Sequence, residues 1–282
     1  MFTYKDNVNK DAEIRSLDEW LNITHGWNDT YPLPKVEKHN GVNVIREDAA
    51  GSTKQRALGF LFSKIKEDTV VYVAPREGYA PYAVLKTAQR FGKKVRMYFP
   101  ASKQMSDTQA VLFEEGLTEN DAVFIRIPAM PNLNRIAKQW AEDNGAFFVP
   151  LGANHEAVTA ALIRTAYAMS YKPKSVAVAT STGVLIRSLQ IAWPNTTFYS
   201  IAVARNLQEG EKGAAKFWSS PLPFLKDTKY EMPFPSYQNY DAKAFEYAVN
   251  NNVEAFWNVA SKPLLKDKSI LKAINSYRDW GE

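Results

Sequence analysis

Ile45-Arg46-Glu47-Asp48-Ala49-Ala50-Gly51-Ser52-Thr53-Lys54-Gln55-Arg56-Ala57 decides how the rest of the chain is read. An apolar strand, Val42 to Ile45, runs into it, and a turn of small residues, Ala49 to Ser52, follows. Lys54 then stands at the start of a helix whose apolar residues recur at Ala57, Leu58, Phe60, Leu61 and Ile65. The N-terminus of a helix carries positive partial charge, and its free N–H groups favour an anion. A lysine placed there has its pKa pushed down, which suits an amine acting as nucleophile or Schiff-base former. Taken alone, the stretch is explained more simply by a solvated lysine behind a small-residue helix cap.

Working outward, strand and helix patterns alternate. Strands are expected at Val70–Ala74, Val95–Phe99, Ala122–Ile127, Phe147–Pro150, Ser175–Ala179 and Thr197–Val203. Helices are expected over 54–66, 80–91, 103–115, 131–143, 154–170 and 183–193, several of them ending at a glycine. Short, continuous apolar strands between helices read as βαβ units on a parallel sheet. Toward the beginning, a helical lead-in (Ile14, Leu17, Trp20, Leu21) gives way to a loop, an extended Thr30–Pro34 and a tight-turn signal at Asn40-Gly41. Past residue 205 the regularity fades. Pro221, Pro223, Pro233 and Pro235 mark an extended segment, and 241–260 and 264–278 read as closing helices.

The chain has 282 residues, 45% of them hydrophobic and 13% aromatic, which is enough for a sizeable buried core in one large domain or two smaller ones. It has no cysteine, which excludes disulfides, thiolate metal sites and a cysteine nucleophile. The three histidines, His25, His39 and His155, lack ligand spacing, so no metal site is expected. No Gly-x-Ser-x-Gly elbow supports a serine hydrolase. With no apolar leader or membrane-length run, a cytoplasmic protein is expected. The net charge of +5 permits contact with polyanions without requiring it.

Three further stretches carry chemistry. In Thr180-Ser181-Thr182-Gly183, hydroxyls and a glycine lie between an apolar strand and a helix, which suits an anion such as phosphate and equally suits an ordinary N-cap. The glycine spacing and lysine of a Walker A loop are missing, so nucleotide hydrolysis is not expected. Pro75-Arg76-Glu77-Gly78-Tyr79-Ala80 follows a strand, at the sheet edge where parallel sheets place ligands. Arg76 there suits a carboxylate or phosphate, and a charged surface turn is the alternative. Tyr237-Gln238-Asn239-Tyr240-Asp241-Ala242-Lys243 opens a helix, with Asp241 in a capping position.

Together these residues resemble fold-type-II pyridoxal-phosphate enzymes, the group of threonine synthase, cysteine synthase, tryptophan synthase β, 1-aminocyclopropane-1-carboxylate (ACC) deaminase and D-cysteine desulfhydrase. The likeness spans roughly residues 30–260 and is nearest the deaminase and desulfhydrase branch. It implies a two-lobed, three-layer α/β/α, tryptophan synthase β-like fold. A small domain (57–148) would be inserted into a large cofactor-binding one (1–56 and 149–282).

The resemblance also implies residue roles. Lys54 matches the lysine that holds pyridoxal 5'-phosphate as a Schiff base and then serves as acid or base. Thr180, Ser181, Thr182 and Gly183 match the phosphate cradle. Tyr240-Asp241-x-Lys243 resembles the Tyr-Glu-Gly-Lys element of the deaminase branch, which sets Asp241 against the pyridine nitrogen and favours chemistry at Cα. Arg76-Glu77-Gly78-Tyr79 falls where the family has Ser-x-Gly-Asn. Arg76, Glu77 and Gly78, with Ser52, then meet the substrate; Tyr79 stands where the family's asparagine bonds the cofactor's ring oxygen and so also belongs to the cofactor site; and Tyr79 and Tyr240 position groups or transfer protons. An amino-acid-type substrate, a homodimer, and decarboxylase, lyase or deaminase activity follow from the likeness. Compact enzymes of this type in bacteriophages process an amino acid joined to thymine during DNA hypermodification, and DNA carrying a modified base is one expected partner, in the host cytoplasm. The alternatives are a conventional small-molecule deaminase or desulfhydrase and a non-catalytic binding protein that kept the fold.

Overall fold

Val42-x-Val44 turns one side of a strand inward while Ile45 fills the other, and the chain needs cover on both faces to bury all three. The computed structural model describes residues 15–102, 104–126, 130–204, 207 and 210–276. Ser16 starts α1 (Leu17–Ile23) with a capping box: its hydroxyl accepts from Glu19 N at 3.3 Å, and Glu19 accepts from Ser16 N at 2.7 Å. The lead-in residue Ile14 lies outside the described residues. Strands β1 (Lys35–His39) and β2 (Val42–Arg46) form an antiparallel hairpin. Asn40 and Gly41, at φ 48° and 84°, supply the paired left-handed residues that a two-residue turn requires. Helix α2 (Thr53–Phe62) follows the quoted turn.

The alternating region runs β3 (Thr69–Val73), α3 (Ala80–Arg90), β4 (Lys94–Pro100), α4 (Asp107–Glu114), β5 (Ala122–Ile125), α5 (Met130–Asp143) and β6 (Phe147–Phe148). Its strands pair in parallel in the order β5-β4-β3-β6. Leu133, Ala137 and Ala141, four apart on α5, pack against Val71, Val73 and Tyr98. Helix α4 begins later than its apolar pattern suggests, because Ser106 and Gln109 form a capping box that fixes the start. The earlier expected start, Lys103, and the strand-end residue Ile127 lie outside the described residues.

Next come α6 (Glu156–Ala168), β7 (Ser175–Thr180), α7 (Val184–Ala192), β8 (Thr197–Ala202), β9 (Lys216–Ser219), α8 (Asp241–Asn250), β10 (Ala255–Asn258) and α9 (Ser269–Ser276). Six described strands form a second sheet in the order β1-β2-β10-β7-β8-β9, parallel except for the β1–β2 hairpin. Here the structure corrects one expectation. The closing helix over 241–260 stops at Asn250, Asn252 turns the chain at φ 51°, and β10 inserts between β2 and β7. All four β10 residues are buried, which only a strand covered on both faces allows.

Alternate residues of this sheet serve two cores. Ile45, Val176, Val178, Ala255 and Trp257 pack with Trp20 and with residues of α6 and α7. Val42, Val44, Ala177, Ala179 and Phe256 pack with Ala244, Phe245 and Ala248 of α8 on the opposite face. The result is three layers, α/β/α. Residues 15–61 with 154–262 make one compact unit, and residues 62–153 with 263–276 make another. Within the latter, Leu265, Ile270 and Leu271 pack on Met105 and Ala110. Among the described residues no helix is long and apolar enough to cross a membrane.

Candidate active site

Strands β2, β10 and β7 run parallel as neighbours, so Arg46, Asn258 and Thr180 bring their carboxyl ends to one edge of the sheet. That edge is where open α/β sheets bind ligands. The turn after β2 is tight: Glu47 O accepts from Ala50 N and from Ser52 N, each at 3.0 Å. Gly51 sits at φ 101°, and a Cβ there would come 2.3 Å from Tyr31 Cε1, so only glycine fits. Ser52, at φ 103°, caps α2, its Oγ accepting from Gln55 N at 3.2 Å. Thr53 ties the helix start to β10. Its N–H donates to Val259 O at 3.0 Å, and its Oγ1 accepts from Trp257 Nε1 at 2.9 Å.

Beneath this turn lies a buried charge cluster. The fully buried Arg56 donates through Nε to Glu47 Oε1 at 2.6 Å, and it also reaches Asp29 and the carbonyls of Tyr31 and Pro32. Burial outweighs Arg56 and raises the Glu47 pKa to about 7. Arg46 grips Asp48 with two parallel hydrogen bonds, both 2.9 Å.

Lys54, the second residue of α2, is half-buried, and its pKa falls to about 8. The chief cause is burial, opposed by the charge of Asp241, so desolvation explains the shift assigned on sequence to the helix end. Asp241, the first residue of α8, is fully buried. Burial raises its pKa well above the usual carboxylate range, and Asp48 adds to the rise, while the backbone of Val259 and Ala260 and the charge of Lys54 oppose it. Among the described residues neither carboxylate oxygen of Asp241 has a well-formed hydrogen bond, the backbone of Val259 and Ala260 being near but poorly placed. An ordinary N-cap would be half-exposed and bonded to its own helix. Asp241 is neither.

Tyr240 is half-buried and donates to Ala179 O at 3.4 Å; burial, then Asp241, raises its pKa. Thr180 ends β7 with its hydroxyl directed within the sheet, donating to Val178 O at 3.1 Å and accepting from Ser200 Oγ at 3.0 Å. Ser181 and Thr182 are half-buried at the entry to α7. Gly183 precedes that helix at φ 72°, and a Cβ on it would lie 1.7 Å from Glu211 O. Two residues of this unit carried no role on sequence grounds. Asn239 is buried and its Oδ1 has no donor among the described residues. The buried Lys243 donates to Pro223 O at 2.8 Å and to Phe224 O at 3.4 Å. Lys243 was signalled by its place in the Tyr240-Asp241-x-Lys243 element, whereas Asn239 stood out only as a hydrophilic residue amid aromatics.

Arg76, Glu77, Gly78 and Tyr79 belong to the other unit, after β3. Ser106 Oγ donates to Arg76 O at 2.5 Å, and Thr108 Oγ1 donates to Glu77 Oε2 at 2.7 Å. The loop is thus fastened to the first turn of α4. Gly78 takes φ 119°, and the Tyr79 ring lies 5.4 Å from that of Tyr82. The Arg76 side chain is exposed. Among the described residues no group of three or more His, Cys, Asp or Glu side chains is placed to hold a metal ion.

No family model matches the chain, and no curated protein matches it. Solved structures do. A homologue of ACC deaminase superposes with TM-score 0.70 at 15% identity, over 90% of this chain and 98% of its own. Maize serine racemase gives 0.67 at 12% identity, over 94% and 98%. Threonine deaminase isoform 2 from Solanum lycopersicum gives 0.65 at 12% identity, over 98% and 96%. The chain has the tryptophan synthase β-like fold.

Proposed function

We propose that the chain is a pyridoxal-5'-phosphate-dependent enzyme that breaks a bond at Cα or Cβ of an amino-acid-type substrate. One observation carries the reading: the carboxylate of Asp241 is fully buried, and although the backbone of Val259 and Ala260 lies near it, neither oxygen has a well-formed hydrogen bond among the described residues. A buried carboxylate so poorly satisfied is costly, and Asp241 would hold a protonated ring nitrogen, which would supply a donor and a balancing charge. Lys54, an amine poised at about pKa 8 in the field of Asp241, has the chemistry to hold the cofactor's aldehyde. When bound, the cofactor supplies an electron sink for the pair released at the substrate.

The remaining roles belong to the chain itself. Asp241 keeps the proton on the ring nitrogen, which favours deaminase, decarboxylase or other Cα chemistry. Lys54, once freed, moves a proton at the substrate Cα. The backbone at Gly183 and the hydroxyls of Ser181 and Thr182, with Thr180 behind them, receive the phosphate at the start of α7. Tyr240 positions or transfers protons. Arg76, Glu77, Gly78 and Tyr79 are assigned to substrate recognition by their place at the carboxyl end of a parallel strand, and Ser52 by its place beside Lys54.

Adding pyridoxal 5'-phosphate to the purified chain tests this. A visible absorption band, locked by borohydride onto Lys54 and located by peptide mass, is the expected result. A colourless protein, or a band that Lys54→Ala leaves intact, overturns it.

The net charge of +5 permits a second version of the same chemistry, in which the amino acid is carried on a polyanion such as DNA with a modified base. Turnover of amino-acid-modified DNA, with binding that weakens as salt rises, supports it. Turnover of a free amino acid with no binding to DNA excludes it.

A further inference from the structure

Lys243 is almost fully buried, yet among the described residues its ammonium group forms no ion pair with a carboxylate and instead meets backbone carbonyls. It thereby holds the turn Pro223-Phe224-Leu225-Lys226. That turn closes on itself, Lys226 N donating to Pro223 O at 3.0 Å. The same carbonyl accepts from Lys243 Nζ at 2.8 Å, and Phe224 O accepts at 3.4 Å. Both lone pairs of Pro223 O are therefore used, one within the turn and one by the lysine.

The Phe224 ring meets the Tyr240 ring edge-on, at a centroid distance of 6.4 Å and an interplanar angle of 82°. Tyr240 in turn donates to Ala179 O, near the end of β7, and adjoins Asp241. Leu225 projects outward, 62% exposed, so the turn's own apolar side chain does not anchor it, and the lysine and the ring contact do. Lysine is an expensive choice for a buried clamp, since burial lowers its pKa and Asp227 only partly restores it.

We propose that Lys243 is a positioning residue, which fastens the 223–226 turn against the Tyr240 ring and so holds the Tyr240 hydroxyl on Ala179 O near the end of β7. The inference deepens the pyridoxal-phosphate reading and rests on it for the role of Tyr240. The contacts of the turn stand independently of that reading.

The experiment has two arms, both on the full chain. In the first, native protein is cut with trypsin after Lys226. Lys243→Met, which keeps the stem and loses the donors, is expected to speed that cut about tenfold, while Lys243→Arg restores resistance. In the second, pyridoxal 5'-phosphate is titrated by its visible absorption into Lys243→Met, Tyr240→Phe and the double variant. Each single change is expected to weaken uptake, and the double to be no weaker than the worse single, because the lysine acts through the tyrosine. Phe224→Ala repeats the test without stranding a carbonyl, should Lys243→Met fold poorly.

An unchanged cut after Lys226, or losses that simply add, overturns the proposal. Failure of the wild-type chain to take up pyridoxal 5'-phosphate overturns the proposed function and with it the role of Tyr240. The trypsin arm then still decides whether Lys243 clamps the turn.

Discussion

Trp257 and Thr53 lie 204 residues apart in the chain and share a buried hydrogen bond, indole Nε1 to hydroxyl Oγ1, at 2.9 Å. Lys54 is the next residue after Thr53, so this bond helps fix where the amine points. Thr53→Val keeps the shape and removes the acceptor, leaving a buried indole N–H unsatisfied. A loss of about 1–3 kcal/mol is expected in urea unfolding. Thr53→Ser keeps the acceptor and should recover most of it.

The amine of Lys54 gives a pH prediction. With a pKa near 8, its reaction with a small acylating reagent should reach half its plateau rate at about pH 8, well below ordinary lysines. Because Asp241 holds the value up, Asp241→Asn should move the midpoint down or leave it in place. Peptide mapping after pulsed labelling reads this directly. An upward shift contradicts the arrangement.

Glu47 gives another, in stability. Its folded pKa is raised to about 7 from 4.5. Between those values the folded state binds the proton and the unfolded state has released it. Stability therefore falls as pH rises across that window and is level outside it. Glu47→Gln removes the titration. The difference in unfolding free energy between wild type and Glu47→Gln should shift against wild type from pH 5 to pH 8. A flat difference means that Arg56 keeps the carboxylate ionised throughout.

Gly183→Ala tests the close approach at the start of α7. The new Cβ meets Glu211 O far inside contact distance, and φ 72° disfavours any side chain. The loop carrying Glu211 must move or the helix start must. Weaker uptake of pyridoxal 5'-phosphate is expected, together with a lowered melting temperature. Equal uptake at equal stability would show that the helix start takes no part in anion binding.

Much of this molecule is legible in its sequence because the relevant physics is local. Val70 to Val73 is continuously apolar, so a strand covered on both faces follows, and Asn40-Gly41 announces its hairpin. β10 was not legible. Val253 to Trp257 continues the apolar content of α8, and only the pairing of Ala255 with both Asn43 and Val176 makes it a strand. Lys54 stood out by position, yet its depressed pKa comes from burial, which packing sets and a linear pattern does not display. Asp241 likewise reads as a helix cap until its surroundings are known. Lys243, a charged residue in a polar run, gives no local sign that it will be buried against carbonyls.

The insertion of β10 between β2 and β7 has a consequence for the order of events during synthesis. β2 and β7 leave the ribosome long before residues 255–258, and neither can pair with its central neighbour until those residues arrive. Until then both carry open hydrogen-bonding edges and exposed Val and Ile faces, a form prone to pair with other chains. A released chain truncated before residue 255 would be expected to aggregate, whereas one that includes residues 255–258 can close the sheet. The same late event brings Trp257 to Thr53, so the lysine's setting is completed only when the middle of the sheet is filled.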